Sequence, residues 1–194
     1  MKNPWKTLSS KVVYETDYLR IRQDQVIKPN GQKGTYDVLE SPGSVFVIAL
    51  DAEDKFVLIG QYRYPTAVFS LEVPGGGRDR ESKDPLNDAK RELQEETGLI
   101  AREWSEAGRC FAYNGVSDEE MITYIARDLK QTDQAETKEE GIMEAKNVSF
   151  EEAFAMIKTG EINDSQCIAA ITQAAMYLGF LPLSSRTEGE RSQD

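Results

Sequence analysis

Residues 71–100 read LEVPGGGRDRESKDPLNDAKRELQEETGLI, and no other stretch restricts the fold so tightly. An apolar strand runs into a Pro-Gly-Gly-Gly turn and then a polar loop. Asp84 and Pro85 supply an N-cap and a first-turn proline for a helix that stops at Gly98. At about 100° per residue, Leu86, Ala89, Leu93 and Thr97 share one face, whereas Asp88, Glu92, Glu95 and Glu96 fall within a sector about 100° wide elsewhere. Glu95 and Glu96 occupy the last turn, where the helix dipole is already negative, and Glu92 neighbours both. The arrangement costs about 1–2 kcal/mol locally. A stable domain tolerates that penalty without any function, so a solvated acidic face is the plain structural reading of these acids. The glycine turn directly before the helix shifts the balance toward a site.

A chain of 194 residues makes one domain, or one domain with a small appendage, and is long enough to bury a proper core. Hydrophobic residues make up 39% and charged residues 29%, which suits a soluble globular protein. The formal net charge of −11, with no basic block to offset it, argues against binding to a nucleic-acid backbone. A free anionic substrate would be repelled as well, so a bridging cation is expected. The chain has no histidine, which excludes His-based zinc sites, Ser-His and Cys-His nucleophiles and imidazole acid–base chemistry together. Any catalysis must use carboxylates. Cys110 and Cys167 are far apart, show no metal-ligand spacing and read as two buried thiols. The N-terminal MKNPWKTLSS has no apolar run after its lysines, and no window approaches the ~18 apolar residues of a membrane span. A cytoplasmic protein with no membrane partner is expected.

Residues 11–14, 18–28 and 35–40 read as three strands, with a turn at Pro29-Asn30-Gly31, and form a small N-terminal β unit whose edges need a partner. Residues 44–50 and 56–62 are near-continuous apolar runs that read as a central hairpin buried on both faces. Further strands are expected at 68–73, around Trp104, at 110–113 and at 121–126. Residues 130–141 are strongly polar and read as one long mobile loop of the kind that can act as a lid. Ser149 and Glu152 form a capping box for a structural helix that packs Ala153, Phe154, Met156 and Ile157 and closes at Gly160. Asp164 or Ser165 caps a last helix through Tyr177, and residues 184–194 read as a disordered tail.

The run Arg91-Glu92-Leu93-Gln94-Glu95-Glu96-Thr97-Gly98-Leu99 resembles the helical half of the Nudix hydrolase signature. That pattern is Gly, five residues, Glu, seven residues, then Arg-Glu-apolar-x-Glu-Glu-x-Gly-apolar. Lys83 stands at the position of the pattern's first Glu, and the spacing back to Gly76 is one residue longer than the pattern; Glu81 is taken as the stand-in from an enlarged loop. Gln61-Tyr62-Arg63, Pro65, the strand at 68–73 and Pro74-Gly75-Gly76 together resemble the ADP-ribose pyrophosphatase branch. That branch also carries Pro-Gly-apolar-Ser-Asp-Glu beyond the signature. Asn114 replaces the proline here, and Ser117-Asp118-Glu119 keeps the rest.

The resemblance implies an α/β fold of the Nudix type, an α/β/α sandwich. The domains expected are 1–42, the N-terminal β unit, 43–183, the hydrolase domain, and 184–194, the tail; the uncovered edges and apolar residues of the β unit point to a homodimer. The implied activity is Mg²⁺-dependent hydrolysis, with Mn²⁺ as the alternative ion, of ADP-ribose or another nucleoside diphosphate sugar to a nucleoside monophosphate and a sugar phosphate. Glu92 and Glu96, one turn apart, suit a hard cation on their own chemistry. The resemblance adds Glu95 and the carbonyl of Gly75 as metal ligands and gives Arg91 the task of orienting Glu92 and Glu95.

With no histidine present, the general base must be a carboxylate close to the metals. The resemblance points to the loop after residue 135, where Glu139 and Glu140 are equivalent candidates, and Glu95 is the alternative. It also makes Arg63, Gly76 and Tyr36 substrate-binding residues. The competing reading of Arg63 is a surface arginine at a strand end, which the match of Gln61-Tyr62-Arg63 to the branch disfavours. Tyr36 either stacks on the nucleobase or covers the core as a strand aromatic, and Tyr18 is a weaker candidate for the stacking role. Two other functions compete: a Nudix hydrolase of a dinucleoside polyphosphate or an oxidised nucleoside triphosphate, which Gln61-Tyr62-Arg63 disfavours, and a non-catalytic nucleotide-sugar sensor. Lys83 and Asn114 raise the sensor reading; intact Glu92, Glu95 and Glu96 argue against it.

Overall fold

A computed structural model of the chain describes residues 2–137 and 141–181. Glu139, Glu140 and the 184–194 segment lie outside the described residues.

Three strands, β1 (Lys6–Glu15), β2 (Arg20–Ile27) and β3 (Lys33–Glu40), form an antiparallel N-terminal sheet in the order β1-β2-β3. The Pro29-Asn30-Gly31 turn joins the last two, with Gly31 in the left-handed region at φ 83°. Every residue of β1 is exposed, so this edge strand contributes no residue to the buried core of its own chain. The sheet is fastened to the rest of the molecule through the segment around Ser117. Leu39 N–H donates to Val116 O at 2.8 Å, and Ser117 Oγ donates to Leu39 O at 2.9 Å. Ser41 N–H donates to Asp118 Oδ1 at 2.9 Å.

The second unit is built on β4 (Ser44–Ala49), β5 (Phe56–Arg63), β6 (Val68–Glu72), β7 (Gly75–Gly77), helix α1 (Pro85–Thr97), β8 (Leu99–Phe111), β9 (Glu120–Gln131), β10 (Ile142–Val148), α2 (Phe150–Thr159) and α3 (Ser165–Tyr177). One sheet has the order β7-β4-β9-β8, with β4 and β9 parallel, and the other has the order β10-β5-β6. Alternation along β4 explains the sandwich. Val45, Val47 and Ala49 pack with Ala89 and Leu93 of α1, while Phe46, Ile48 and Leu50 point the other way to a core shared with α2, α3 and the second sheet. The fold is α/β, a four-stranded sheet between helices, as expected.

Three readings need correction. The runs at 44–50 and 56–62 do not form a hairpin: a single bridge joins Leu50 to Phe56, and the strands then enter different sheets. An apolar run buried on both faces states that a strand is central without stating its partner, and both edges of β4 are taken by β7 and β9. The glycine tract is not a turn but the strand β7, antiparallel to β4, and none of its glycines has positive φ. The 130–141 stretch is not one loose loop. β9 continues to Gln131, and the described arm after it is tied to the end of α1, with Thr132 N–H donating to Gly98 O at 2.8 Å and Glu136 N–H to Glu95 O at 2.7 Å.

The helix boundaries follow the sequence signals. Asp84 caps α1 by accepting from Leu86 N–H, with Pro85 in its first turn, and Gly98 closes it at φ 71°. The Ser149–Glu152 capping box is present in full, and Asp164 caps α3. Cys110 and Cys167 are unpaired thiols. Cys167 is buried, and that burial drives its pKa well up, whereas Cys110 is only half-buried.

Candidate active site

The carboxylates of α1 are not a solvated face. Asp88, Glu92 and Glu96 are 5%, 8% and 5% exposed, in line with the core residues Ala89 and Leu93 beside them. Buried carboxylates require partners, and these have them. Arg78 Nε donates to Asp88 Oδ2 at 3.3 Å, Arg91 Nη2 to Glu92 Oε1 at 2.6 Å, and Gly75 N–H to Glu96 Oε2 at 2.8 Å. Arg91 Nη1 also donates to Glu95 Oε2 at 2.6 Å, so one guanidinium bridges two acids of the signature helix. Burial pulls the Arg91 pKa down, but Glu92 and Glu95 outweigh it and the net shift is upward.

The strand β7 is glycine because it is pressed between β4 and α1. A Cβ on Gly75 would run into the Val45 carbonyl oxygen, and a Cβ on Gly76 would lie 2.8 Å from Glu92 Oε2 and 2.9 Å from Oε1. Gly77 has open space on its side-chain position. The glycines thus let a strand backbone lie against two carboxylates, which is a close approach rather than a turn.

Gly75, Gly76 and Gly77 also line a cleft of about 1170 Å³. Its opposite wall comes from β5 and β6, with Arg63, Ser70 and Glu72; the start of α3 closes one end, and Asp17 and Tyr18 stand at another part of its lining. Register explains the β5–β6 wall: Arg63 pairs with Val68, Gln61 with Ser70 and Ile59 with Glu72, so these alternate residues share one face. Arg63 holds Glu72 with Nε donating to Oε1 at 2.8 Å and Nη2 donating to Oε2. The Glu72 hydrogen bonds are the main reason the Arg63 pKa is raised.

Of the residues expected from sequence, the structure brings Arg63, Gly75 and Gly76 together in the cleft and sets Glu92 and Glu96 directly behind the glycines. Glu81 lines the cleft, while Lys83 is exposed and outside its lining. Tyr36 is not a lining residue. Its hydroxyl donates to Gly115 O at 2.7 Å and its ring meets Trp5 edge-on at 5.5 Å. Tyr18 does line the cleft. Sequence reasoning missed Glu72 and Arg78. A lone acid inside the apolar run VFSLEV was the available signal for the first; nothing in the sequence marked Arg78 as the partner of Asp88.

The donor set suits a hard divalent cation, since it consists of carboxylates and backbone carbonyls with no nitrogen or sulfur ligand. The β7 backbone also lies where it could add an oxygen. Among the described residues, no three His, Cys, Asp or Glu side chains are grouped as a metal cage, and Arg91 stands between Glu92 and Glu95.

Comparison with known proteins gives a consistent result. Residues 5–39 match the nucleoside diphosphate sugar hydrolase N-terminal domain, and residues 40–171 match the NUDIX domain. The methanol dehydrogenase activator of Bacillus methanolicus is 30% identical over 167 residues, covering 86% of this chain and 90% of that protein. The ADP-ribose pyrophosphatase of Mycobacterium tuberculosis is 31% identical over 181 residues, covering 92% and 87%. That of Bacillus subtilis is 26% identical over 167 residues, covering 86% and 90%. A crystal structure of an ADP compounds hydrolase superposes with a TM-score of 0.77 at 17% identity, covering 91% of this chain and 95% of its own, and so shares the fold.

Proposed function

Because the chain belongs to the Nudix hydrolase family, we propose that it hydrolyses the pyrophosphate bond of ADP-ribose or another nucleoside diphosphate sugar, releasing a nucleoside monophosphate and a sugar phosphate. It is a pyrophosphohydrolase. The substrate class is supported by the match of residues 5–39 to the N-terminal domain of nucleoside diphosphate sugar hydrolases. The two relatives named ADP-ribose pyrophosphatase support it as well. The observation that carries the reading is the seating of β7 on the signature helix: Gly75 bonds Glu96, Gly76 abuts Glu92, and both glycines face the cleft. Oxygen ligands are thereby backed onto the floor of a cavity large enough for a dinucleotide-sized ligand.

Nudix hydrolases use a divalent cation, and we propose Mg²⁺ here, with Mn²⁺ as the alternative. Glu92, Glu95, Glu96 and the Gly75 carbonyl are the groups that would hold it. Bound there, the cation would neutralise the diphosphate, acidify a water and stabilise charge on the departing phosphate. Arg91 orients Glu92 and Glu95 through its two hydrogen bonds. Arg63 is aimed by Glu72 and keeps Nη1 for a substrate phosphate. The water's proton passes to a carboxylate, Glu139 or Glu140 of the loop before β10, with Glu95 as the alternative. Tyr36 serves the nucleobase in a neighbouring subunit's cleft, since it does not line its own.

We further propose a homodimer formed through the N-terminal sheet, because β1 exposes Leu8, Val12, Val13 and Tyr14 on a strand that its own chain leaves uncovered. A cytoplasmic location is proposed on the two unpaired cysteines. No helix among the described residues is long and apolar enough to cross a membrane. A panel of nucleoside diphosphate sugars incubated with Mg²⁺ and read by phosphate release after phosphatase treatment tests the function. ADP-ribose or a close relative is expected to rank first. Turnover of dinucleoside polyphosphates or nucleoside triphosphates ahead of every sugar nucleotide would refute it.

A further inference from the structure

The cleft is lined by three arginines, Arg63, Arg78 and Arg80, and by no lysine. Two of them are already matched by nearly buried carboxylates. Arg63 is held in a two-point pair by Glu72, and Arg78 is held by Asp88. Drawing either guanidinium fully onto a ligand would leave a carboxylate unpaired inside the protein, which is strongly opposed. Arg80 makes no ion pair with any described carboxylate, although Asp79 and Glu81 flank it in sequence. The Asp79 carboxylate is engaged locally, with Oδ1 accepting from Glu81 N–H at 2.9 Å.

The loop that carries Arg80 is braced on both sides. Arg78 bonds Asp88 of α1, the Pro42 carbonyl at 3.3 Å and the Ser82 carbonyl at 3.5 Å, and its own N–H donates to Gly43 O at 2.9 Å. Arg80 is therefore presented at the cleft from a braced turn, with no ion pair to a described carboxylate. In a protein of net charge −11, Arg80 is the group in the cleft best able to attract a diphosphate.

We propose that Arg80 is a substrate-binding residue whose guanidinium, unmatched by an ion pair, engages the diphosphate directly in a cleft whose other lining charges are mostly acidic. Arg63, held by Glu72 through Nε and Nη2, adds only its remaining Nη1, and Arg78 braces the loop. This rests on the nucleoside diphosphate sugar reading above. The guanidinium is the suited group because it presents planar, paired donors to phosphate oxygens.

The test is steady-state kinetics with ADP-ribose and saturating Mg²⁺ at low and high salt for wild type, Arg80→Ala, Arg80→Lys and Lys83→Ala. Lys83 removes the same charge from the same loop outside the cleft lining. For Arg80→Ala, KM should rise about tenfold with kcat within about twofold, because ground-state capture is lost. The ratio of the Arg80→Ala KM to the wild-type KM should shrink as salt rises, because screening weakens the one attraction that the variant lacks. Arg80→Lys should recover part of the loss, and Lys83→Ala should stay within about twofold of wild type. An unchanged KM in Arg80→Ala, or an equal rise in Lys83→Ala, would overturn the assignment while leaving the enzyme's function standing. Wild-type protein that turns over no sugar nucleotide would refute the functional reading itself and this assignment with it.

Discussion

Gly76 lies so close to Glu92 that a Cβ at that position would sit 2.8 Å from a carboxylate oxygen. The three consecutive glycines of β7 therefore differ in what they protect. Gly75→Ala would drive a methyl group into the Val45 backbone and should destabilise the fold by about 3 kcal/mol, the upper range for overpacking against atoms that cannot rotate away. Gly76→Ala should displace Glu92 and cost about 10²-fold in kcat while the melting temperature falls by only a few degrees. Gly77→Ala meets open space and should be silent in both measurements. Thermal melts with parallel rate measurements check the series; a Gly77→Ala defect as large as that of Gly76→Ala would contradict it.

The Arg63–Glu72 pair predicts an asymmetry in stability. Glu72 is 2% exposed, whereas the Arg63 side chain is 45% exposed. Arg63→Ala strands a buried carboxylate and should cost about 3–5 kcal/mol; Glu72→Gln leaves a guanidinium that water can reach and should cost about 1 kcal/mol. Urea denaturation of both variants measures the difference. Equal losses would mean that the two groups share the burden in a way their exposures do not indicate.

What the sequence disclosed, and what it hid, follows from the range of each interaction. The limits of α1 were readable because Asp84, Pro85 and Gly98 act on their own backbone within a few residues, and the same holds for the Ser149–Glu152 box. The partners of β4 were not readable, because Val45, Phe46 and their neighbours report burial on two faces and nothing about which strand lies alongside. The glycine tract was misread for a related reason. Glycine signals an unusual need of the backbone, and a close approach by Glu92 or Val45 leaves the same letter in the sequence as a turn. The acids of α1 were recognisable as a pattern, but their burial depends on Arg78, Arg91 and the Gly75 amide, two of which come from outside the helix.

The general base is proposed to be Glu139 or Glu140. Among the described residues before them, Glu136 donates its N–H to Glu95 O at 2.7 Å at the end of α1. Gln substitution of the acting residue should lower kcat by about 10²–10⁴-fold with KM little changed. Single-turnover rates for both single variants and the double variant test this. Full kcat in all three would shift the role to Glu95.

The exposed β1 edge predicts self-association. Multi-angle light scattering at micromolar concentration should report twice the 21.8 kDa chain mass. Joint substitution of Leu8 and Val12 by Asp should return the monomer with the fold intact, since both side chains are exposed within one chain. A wild-type monomer would exclude the dimer and any route for Tyr36 into a neighbouring cleft.

The most direct test of the proposed chemistry is product identification after incubation of the protein with ADP-ribose and Mg²⁺, comparing wild type with Glu96→Gln. The amide oxygen of Gln can still accept from Gly75 N–H, so the variant should fold while losing an anionic ligand. AMP and ribose 5-phosphate in equal amounts from wild type, abolished by chelator and reduced at least about 10²-fold in Glu96→Gln, is the expected result. Intact ADP-ribose in the wild-type reaction, or equal turnover by Glu96→Gln, would contradict it.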